Sequence, residues 1–233
     1  MNNKTMKKYV QFGSGSEAVE GWLNFDASPT LFIQRIPLIG RLLRSNLNCT
    51  FDHNVLYGCI VKGLPLEENS LDGLFCSHIL EHLSYSDFSI ALKNSFKYIK
   101  PGVGVFRIIV PDLEYYIDRY QKQLTSRNYD DKARAAIDFC QDTYLGITES
   151  RIGLRVRINE LFSNKAHRWM WDYPSLKKQL SDFGFVNIKR FQRDQSADEM
   201  FLRPERLHQF GESEACYGLA LECSKPHIDF FES

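Results

Sequence analysis

The sequence has no net charge, no cysteine pair with the spacing of a metal or redox site, and no long hydrophobic run. Its 29 Lys and Arg residues balance 29 Asp and Glu residues, so charge gives no reason to expect nucleic acid or an anionic membrane as a partner. No apolar run is long enough to cross a bilayer, and the N-terminal segment lacks the apolar core of a secretory signal. None of the six cysteines stands in a C-x-x-C pair. We therefore expect reduced thiols and a cytoplasmic protein.

Short apolar runs alternate with helical patterns in the first half of the chain, and the second half is more helical. Seven runs predict strands, at residues 8–12, 22–25, 54–58, 73–77, 105–110, 186–191 and 217–223. Helical spacing predicts helices at residues 113–124, 131–145 and 173–183, and one that contains Phe88, Leu92, Phe96 and Ile99, begins after Ser84 or Ser86 and ends at Pro101-Gly102. The alternation predicts an α/β domain with a parallel sheet covered on both faces, ending in an antiparallel pair of strands.

A glycine turn, Gly13-Ser14-Gly15, follows the first predicted strand, and Asp26 ends the second. Glycine lets the backbone approach a ligand closely, and ligands of open α/β sheets lie outside the carboxyl ends of the strands. At that position Asp26 can accept hydrogen bonds from both hydroxyls of a ribose. Alone, these two features favour a plain turn and a surface aspartate. NAD-binding proteins have a third glycine in this turn and an acidic residue roughly 20 residues after it. The turn lacks both features, which argues against NAD.

Three longer segments carry a family resemblance: GLPLEENSLDGLFCSHILEHLSYSDFSIALKNSFKYIKPGVGVFRIIVPDLE, GWLNFDASPTLFIQRIPLIGRLL and HRWMWDYPSLKKQLSDFGFVNIKRF. They resemble class I S-adenosylmethionine-dependent methyltransferases, and are most similar to a bacterial group linked with surface-polysaccharide gene clusters. The resemblance covers most of the chain apart from about residues 125–160. It implies a Rossmann-like, mostly parallel seven-stranded sheet with an antiparallel C-terminal strand. It also implies one domain over residues 1–233, with a helical insertion at about 113–165.

The resemblance also implies an activity and a cofactor site. The activity is methyl transfer from S-adenosylmethionine to a small polar acceptor, such as a sugar or glycan precursor in polysaccharide biosynthesis. Position by position, the cofactor contacts are Gly13, Ser14 and Gly15 at the methionine, Asp26 at the ribose, Cys59 and Ile60 at the adenine, and Ser77 and His78 lining the site. Two positions depart from the pattern: Cys59 replaces an aspartate, and Gln11 stands where many relatives carry an acid. These departures keep open a second hypothesis, a Rossmann-like protein that binds cofactor or sugar without turnover.

His78, Glu81 and His82 are spaced i, i+3 and i+4, so they would lie on one face if the segment were helical. In the first interpretation His78 lines the cofactor site while Glu81 and His82 make local contacts. The second is a metal site, with His167 as a candidate fourth ligand; some methyltransferases of small molecules or RNA carry Glu-x-x-Glu-His here and bind a divalent ion. The third is an inverted zinc-protease motif, and thus a metal hydrolase. We list S-adenosylmethionine as the expected cofactor and do not expect a metal.

Two further side chains are candidates for catalysis beside His78. Asp112 follows the fifth strand, where it either orients a substrate hydroxyl or caps the next helix. His167 lies in an aromatic segment and is a candidate general base, because imidazole titrates near neutral pH. Trp169 and Trp171 are candidates for stacking on a sugar, although most aromatic clusters belong to the core.

Overall fold

The computed structural model describes residues 7–16, 18–36, 50–146, 166–192, 194–207 and 218–227. In these ranges no helix is both long enough and apolar enough to cross a membrane. The four cysteines that fall in them carry free thiols, as expected.

Strands and short helices alternate from the N-terminus, with no helix between the first two strands. The order is β1 (Tyr9–Phe12), β2 (Leu23–Asp26), α1 (Pro29–Arg35), β3 (Val55–Tyr57), β4 (Gly73–Ser77), a 3-10 helix (Leu80–His82), α2 (Tyr85–Tyr98) and β5 (Val105–Pro111). The Ser84 hydroxyl accepts a hydrogen bond from the Asp87 N–H at 3.1 Å, so Ser84 is the residue that caps α2.

The second half of the chain is more helical, as predicted. It contains α3 (Leu113–Leu124), α4 (Tyr129–Asp142), α5 (Tyr173–Asp182), β6 (Val186–Phe191), a 3-10 helix (Glu199–Phe201), α6 (Leu202–Leu207) and β7 (Gly218–Ser224). Gly184 follows α5 with φ of 91°, the left-handed conformation expected of a residue that ends a helix. Helices α3 and α4 lie within residues 113–165, where a helical insertion is predicted, and residues 147–165 lie outside the described ranges.

The seven strands form one sheet in the order β3-β2-β1-β4-β5-β7-β6. Strand β7 runs antiparallel to both β5 and β6, and the other pairs are parallel. This confirms the predicted mostly parallel sheet with an antiparallel C-terminal strand, which is the arrangement that the resemblance implies. The order also reverses direction between β1 and β4, and such switch points are where open α/β sheets bind ligands.

Apolar side chains fill both faces of the sheet. On one face Leu74 and Cys76 of β4 pack in a cluster with Leu92 of α2 and Leu176 of α5. On the other face Phe75 packs with a second set of buried side chains, which comprises Tyr9, Val19, Trp22, Ile109, Phe201 and Ala220. Alternate residues of one strand therefore serve opposite faces, which confirms the prediction of a sheet covered on both sides.

Two helical segments differ from the prediction. The helix expected at 131–145 is α4, which begins two residues earlier because the Asn128 side chain accepts a hydrogen bond from the Asp130 N–H at 3.0 Å. The short helices between β6 and β7 were not predicted. Phe201 is fully buried there, but a segment this short offers too few apolar positions to show a period.

Candidate functional site

The carboxyl ends of β1 and β4 lie side by side at the switch point of the sheet, since Gln11 is the register partner of Phe75. The glycine turn leaves the end of β1, and Ser77 and His78 leave the end of β4. The topology thus brings together two segments that the sequence assigned to one cofactor site.

The two glycines of the turn have different surroundings. Both have positive φ, 68° at Gly13 and 61° at Gly15, a conformation that other residues adopt only with strain. A Cβ on Gly13 would lie 2.1 Å from the Ile79 side chain, whereas a Cβ on Gly15 would meet nothing within 4 Å. Glycine at 13 therefore makes room for Ile79, and Gly15 borders open space.

The carboxylate of Asp26 closes this turn. Its side chain is nearly buried; Oδ2 accepts a hydrogen bond from the Gly15 N–H at 3.0 Å, and Oδ1 accepts one from the Ser28 N–H at 2.7 Å. Burial raises the pKa of Asp26, although the hydrogen bonds from Ser28 and Gly15 lower it. Each oxygen retains a lone pair, so the arrangement can accept hydrogen bonds from two neighbouring hydroxyls.

The segment after β3 lies beside Asp26, because the Gly58 N–H donates to the Asp26 carbonyl at 3.0 Å. Cys59 is half-buried and pairs through its backbone with Gly63. The Ile60 side chain is buried in the core, and its carbonyl accepts a hydrogen bond from the Asn94 amide at 2.7 Å. The Cys59 thiol and the neighbouring backbone are thus the polar groups of this segment that lie nearest to the end of β2.

The side chain of Gln11 has a structural contact. Its Nε2 donates to Asn24 Oδ1 at 2.7 Å, in the buried interior between β1 and β2. The same Asn24 oxygen accepts from the Val19 N–H at 3.0 Å. Gln11 therefore ties the first two strands together at a position where an acid would be poorly solvated.

Residues 78–82 do not form a regular helix, so the single face that a helix would give them is not the arrangement here. His78 has a positive φ of 54°, and its N–H donates to the Ile109 carbonyl at 2.9 Å. Only Leu80–His82 are helical, as one 3-10 turn. Four other non-glycine residues of the described ranges also have positive φ, so the position of His78 at the end of β4, rather than its φ alone, marks this edge of the sheet.

Glu81, His82 and His167 form a compact cluster next to His78. The Glu81 side chain is fully buried, His78 Nδ1 lies 3.2 Å from its Oε1, and His167 Nε2 lies 4.0 Å from the same oxygen. The rings of His82 and His167 are 4.9 Å apart. The structure thus groups the predicted metal residues Glu81 and His82 with His167, and His78 contacts the cluster through Glu81.

The surroundings of His167 favour its neutral form. Burial lowers its pKa to about 4, despite the opposing effect of Glu81, and the neighbouring His82 and His78 lower it further. Because a general base works best when its pKa is near the working pH, this environment suits a neutral ligand better than a base at neutral pH.

Asp112 is the N-cap of α3. Its Oδ1 accepts a hydrogen bond from the Glu114 N–H at 3.0 Å, and Oδ2 is paired with Arg190. The capping role that the sequence offered as an alternative is therefore confirmed. Trp171 is buried and stacks on Phe88 with ring centroids 4.2 Å apart, so it belongs to the core.

Trp169 differs from Trp171, because 42% of its surface is exposed. Its ring lies 5.0 Å from that of Tyr85, which is also exposed. The Arg168 and Trp169 N–H groups both donate to the Glu81 carbonyl, at 2.8 and 3.0 Å. Sequence reasoning missed this link, which no local pattern marks.

No family model matches the chain, and no curated protein matches it. Solved structures with similar folds include a SAM-dependent methyltransferase from Archaeoglobus fulgidus (16% identity, 95% of this chain and 87% of that chain, TM-score 0.47). Another is a possible histamine N-methyltransferase from Thermotoga maritima (14% identity, 94% and 83%, TM-score 0.46). At such values the likeness carries no argument about activity, which must come from the chain's own residues.

Proposed function

We propose that this chain is an S-adenosylmethionine-dependent methyltransferase whose cofactor lies at the carboxyl edge of β1, β2 and β4. One observation carries the proposal. At the switch point of a class I sheet, the open space beside Gly15 adjoins a nearly buried Asp26 carboxylate that two backbone N–H groups hold in place. A ribose diol fits such a carboxylate, and a backbone without Cβ fits the methionine part of the cofactor.

The residues around the switch point would contact the cofactor along its length, from the methionine part to the adenine. The Gly13-Ser14-Gly15 backbone adjoins the methionine, Cys59 and the backbone at Ile60 adjoin the adenine, and Ser77 and His78 line the side that faces β4. When bound, the cofactor supplies a sulfonium methyl group that an acceptor lone pair attacks in line, leaving the electron pair of the C–S bond on sulfur. The chain contributes alignment, which supplies most of the acceleration for a substrate this electrophilic.

His78 is the proposed base where the acceptor must lose a proton. Its Nδ1 lies 3.2 Å from Glu81 Oε1, so the nearby carboxylate would stabilise the imidazolium that forms when the ring takes the proton. Since Asp112 caps α3 and pairs with Arg190, and since burial holds His167 neutral, we assign the proton transfer to His78 alone.

The acceptor is proposed to be a small polar molecule, and a sugar or glycan precursor is the first class to assay. The exposed rings of Trp169 and Tyr85 support this choice, because aromatic faces pack well on the apolar faces of sugar rings. Methyl transfer to a library of sugars, nucleotide sugars, amines and phenols tests it. Turnover confined to the amines or phenols would contradict the sugar assignment.

Two matched glycine variants test the cofactor site. Gly15 and Gly21 both have positive φ, and a Cβ would meet nothing within 4 Å at either position. Alanine should therefore cost the fold about 1–2 kcal/mol at each. Only the methyl group at position 15 would enter the proposed cofactor space.

Isothermal titration of S-adenosylhomocysteine measures the difference. We expect Gly15→Ala to weaken binding by more than about tenfold, equivalent to about 1.4 kcal/mol, and Gly21→Ala to leave it unchanged. Equal affinities in the two variants, or no binding to the unmodified chain, would contradict the proposal.

A further inference from the structure

The fully buried Glu81 carboxylate is the least satisfied charged group beside the cofactor edge. Within the described residues neither of its oxygens has a hydrogen-bond partner. His78 Nδ1 lies at ion-pair distance, 3.2 Å, but outside hydrogen-bond geometry. Burying an ionised carboxylate in this way costs free energy unless it is paired or coordinates a metal. A bound cation would lower that cost.

Two imidazoles converge on the same carboxylate. Ligand atoms of Glu81, His82 and His167 all lie within 4.8 Å of one another. An ion about 2.0–2.2 Å from each atom needs ligand atoms about 3–4 Å apart. Small rotations of the side chains, which come from two separate segments, would provide this contraction.

The surroundings of His82 match those of a metal-binding histidine. His82 Nδ1 lies 3.2 Å from the Ala166 carbonyl oxygen, a contact that assigns the proton to Nδ1 and leaves Nε2 as the ligand atom. Metal-binding histidines usually donate their other ring N–H in this manner. The Arg168 and Trp169 N–H groups also hold the Glu81 carbonyl, which fixes the His167 segment against the 3-10 helix.

We propose that Glu81, His82 and His167 bind a divalent transition-metal ion such as Zn²⁺, leaving coordination positions for water or an acceptor hydroxyl. Two imidazoles and one carboxylate are the donors that Zn²⁺ accepts, and three protein ligands are typical of sites that keep a position open. The ion would hold an acceptor hydroxyl and lower its pKa. That role rests on the proposed methyl transfer, whereas binding of the ion does not.

Titration of the untagged, chelator-treated chain with Co²⁺ tests the site without any cofactor. We expect one ion per chain, with the visible absorption of Co²⁺ bound by nitrogen and oxygen. His82→Gln and His167→Gln should each weaken binding by more than about tenfold. The matched control is His53→Gln, since the His53 ring is exposed and lies beside Asp52, away from the Glu81 cluster; it should bind as the unmodified chain does.

Glu81→Gln separates a metal ligand from a plain ion-pair partner. Removing a buried charge that has no hydrogen-bond partner should raise the Tm of the metal-free chain and abolish the increase in Tm that Co²⁺ produces. A lower Tm of metal-free Glu81→Gln would overturn the proposal, as would absent binding, thiolate-type absorption, or equal affinity in His82→Gln and His53→Gln. S-adenosylhomocysteine binding is measured in parallel, so loss of the metal site leaves the proposed methyltransferase standing.

Discussion

The Asp26 side chain organises the proposed cofactor site by itself. It holds the N–H of Gly15 on one side and that of Ser28, which caps α1, on the other. A carboxylate fixed in this way needs little reorganisation when hydroxyls bind to it, because its orientation is set before the ligand arrives.

The raised pKa of Asp26 predicts how cofactor binding depends on pH. Burial favours the protonated form, so the carboxylate is lost on acidification at a pH above the ordinary pKa of aspartate, about 3.9. We expect the affinity for S-adenosylhomocysteine to fall as the pH is lowered through this raised pKa, measured by isothermal titration. Asp26→Asn, which cannot titrate, should bind more weakly at neutral pH with a flatter profile. An identical slope in both proteins would contradict the assignment.

Gly13 predicts a second effect at the scale of one residue. A methyl group there would overlap the Ile79 side chain and force a left-handed alanine. Gly13→Ala should therefore lower the free energy of unfolding by more than about 2 kcal/mol, measured by urea denaturation. In Gly13→Ala/Ile79→Ala the two losses should not add, because the smaller side chain makes room. Full additivity would show that Ile79 is not the obstacle.

At the scale of elements, a network of buried ion pairs links strand β5 to helix α6 and strand β7. Arg107 of β5 is fully buried; its Nη1 donates to Glu222 Oε1 of β7 at 2.7 Å, and its Nε is paired with Glu205 of α6. Arg107 and Glu222 are register partners. The network therefore fixes the position of α6 against strands β5 and β7.

Removal of one partner tests the network. Glu205→Ala leaves the Asp194 N–H without its carboxylate acceptor and half of the charge of Arg107 uncompensated. We expect the free energy of unfolding to fall by about 3–5 kcal/mol. The control is Asp182→Ala, which breaks an exposed pair with Lys178 and should cost less than about 1 kcal/mol. Similar losses in the two variants would show that the buried network adds nothing.

Elements with a strong local pattern could be predicted from the sequence, and those shaped by distant contacts could not. Strand β4 and helix α3 have the predicted bounds, because a short apolar run between turns and a helical period are both local signals. The helical segment around Phe201 escaped prediction, because its burial depends on packing against Tyr9 and Trp22, which lie far away in the sequence.

The same distinction holds for the candidate site. The glycine turn and Asp26 carry the spacing of a ligand-binding edge, and the structure places them in contact. Sequence analysis named His167 as a candidate ligand beside Glu81, but the spacing of residues 78–82 did not show how His167 reaches it. That approach depends on the pairing of Trp171 with Asp112 beyond the end of β5, a long-range contact that no local pattern encodes.

At the scale of the whole molecule, the strand order determines which residues can act together. The reversal between β1 and β4 gathers the glycine turn, Asp26, the segment after β3 and the Glu81 cluster at one edge of the sheet. The proposed cofactor and acceptor would therefore approach the same edge.

A crystal structure of the chain with S-adenosylhomocysteine tests the central claim most directly. The ribose hydroxyls should lie within about 3.2 Å of the two Asp26 oxygens, with the homocysteine part along the backbone of Gly15. A ligand bound elsewhere, or an Asp26 carboxylate that contacts only the N–H groups of Gly15 and Ser28 while the ligand is present, would contradict the assignment.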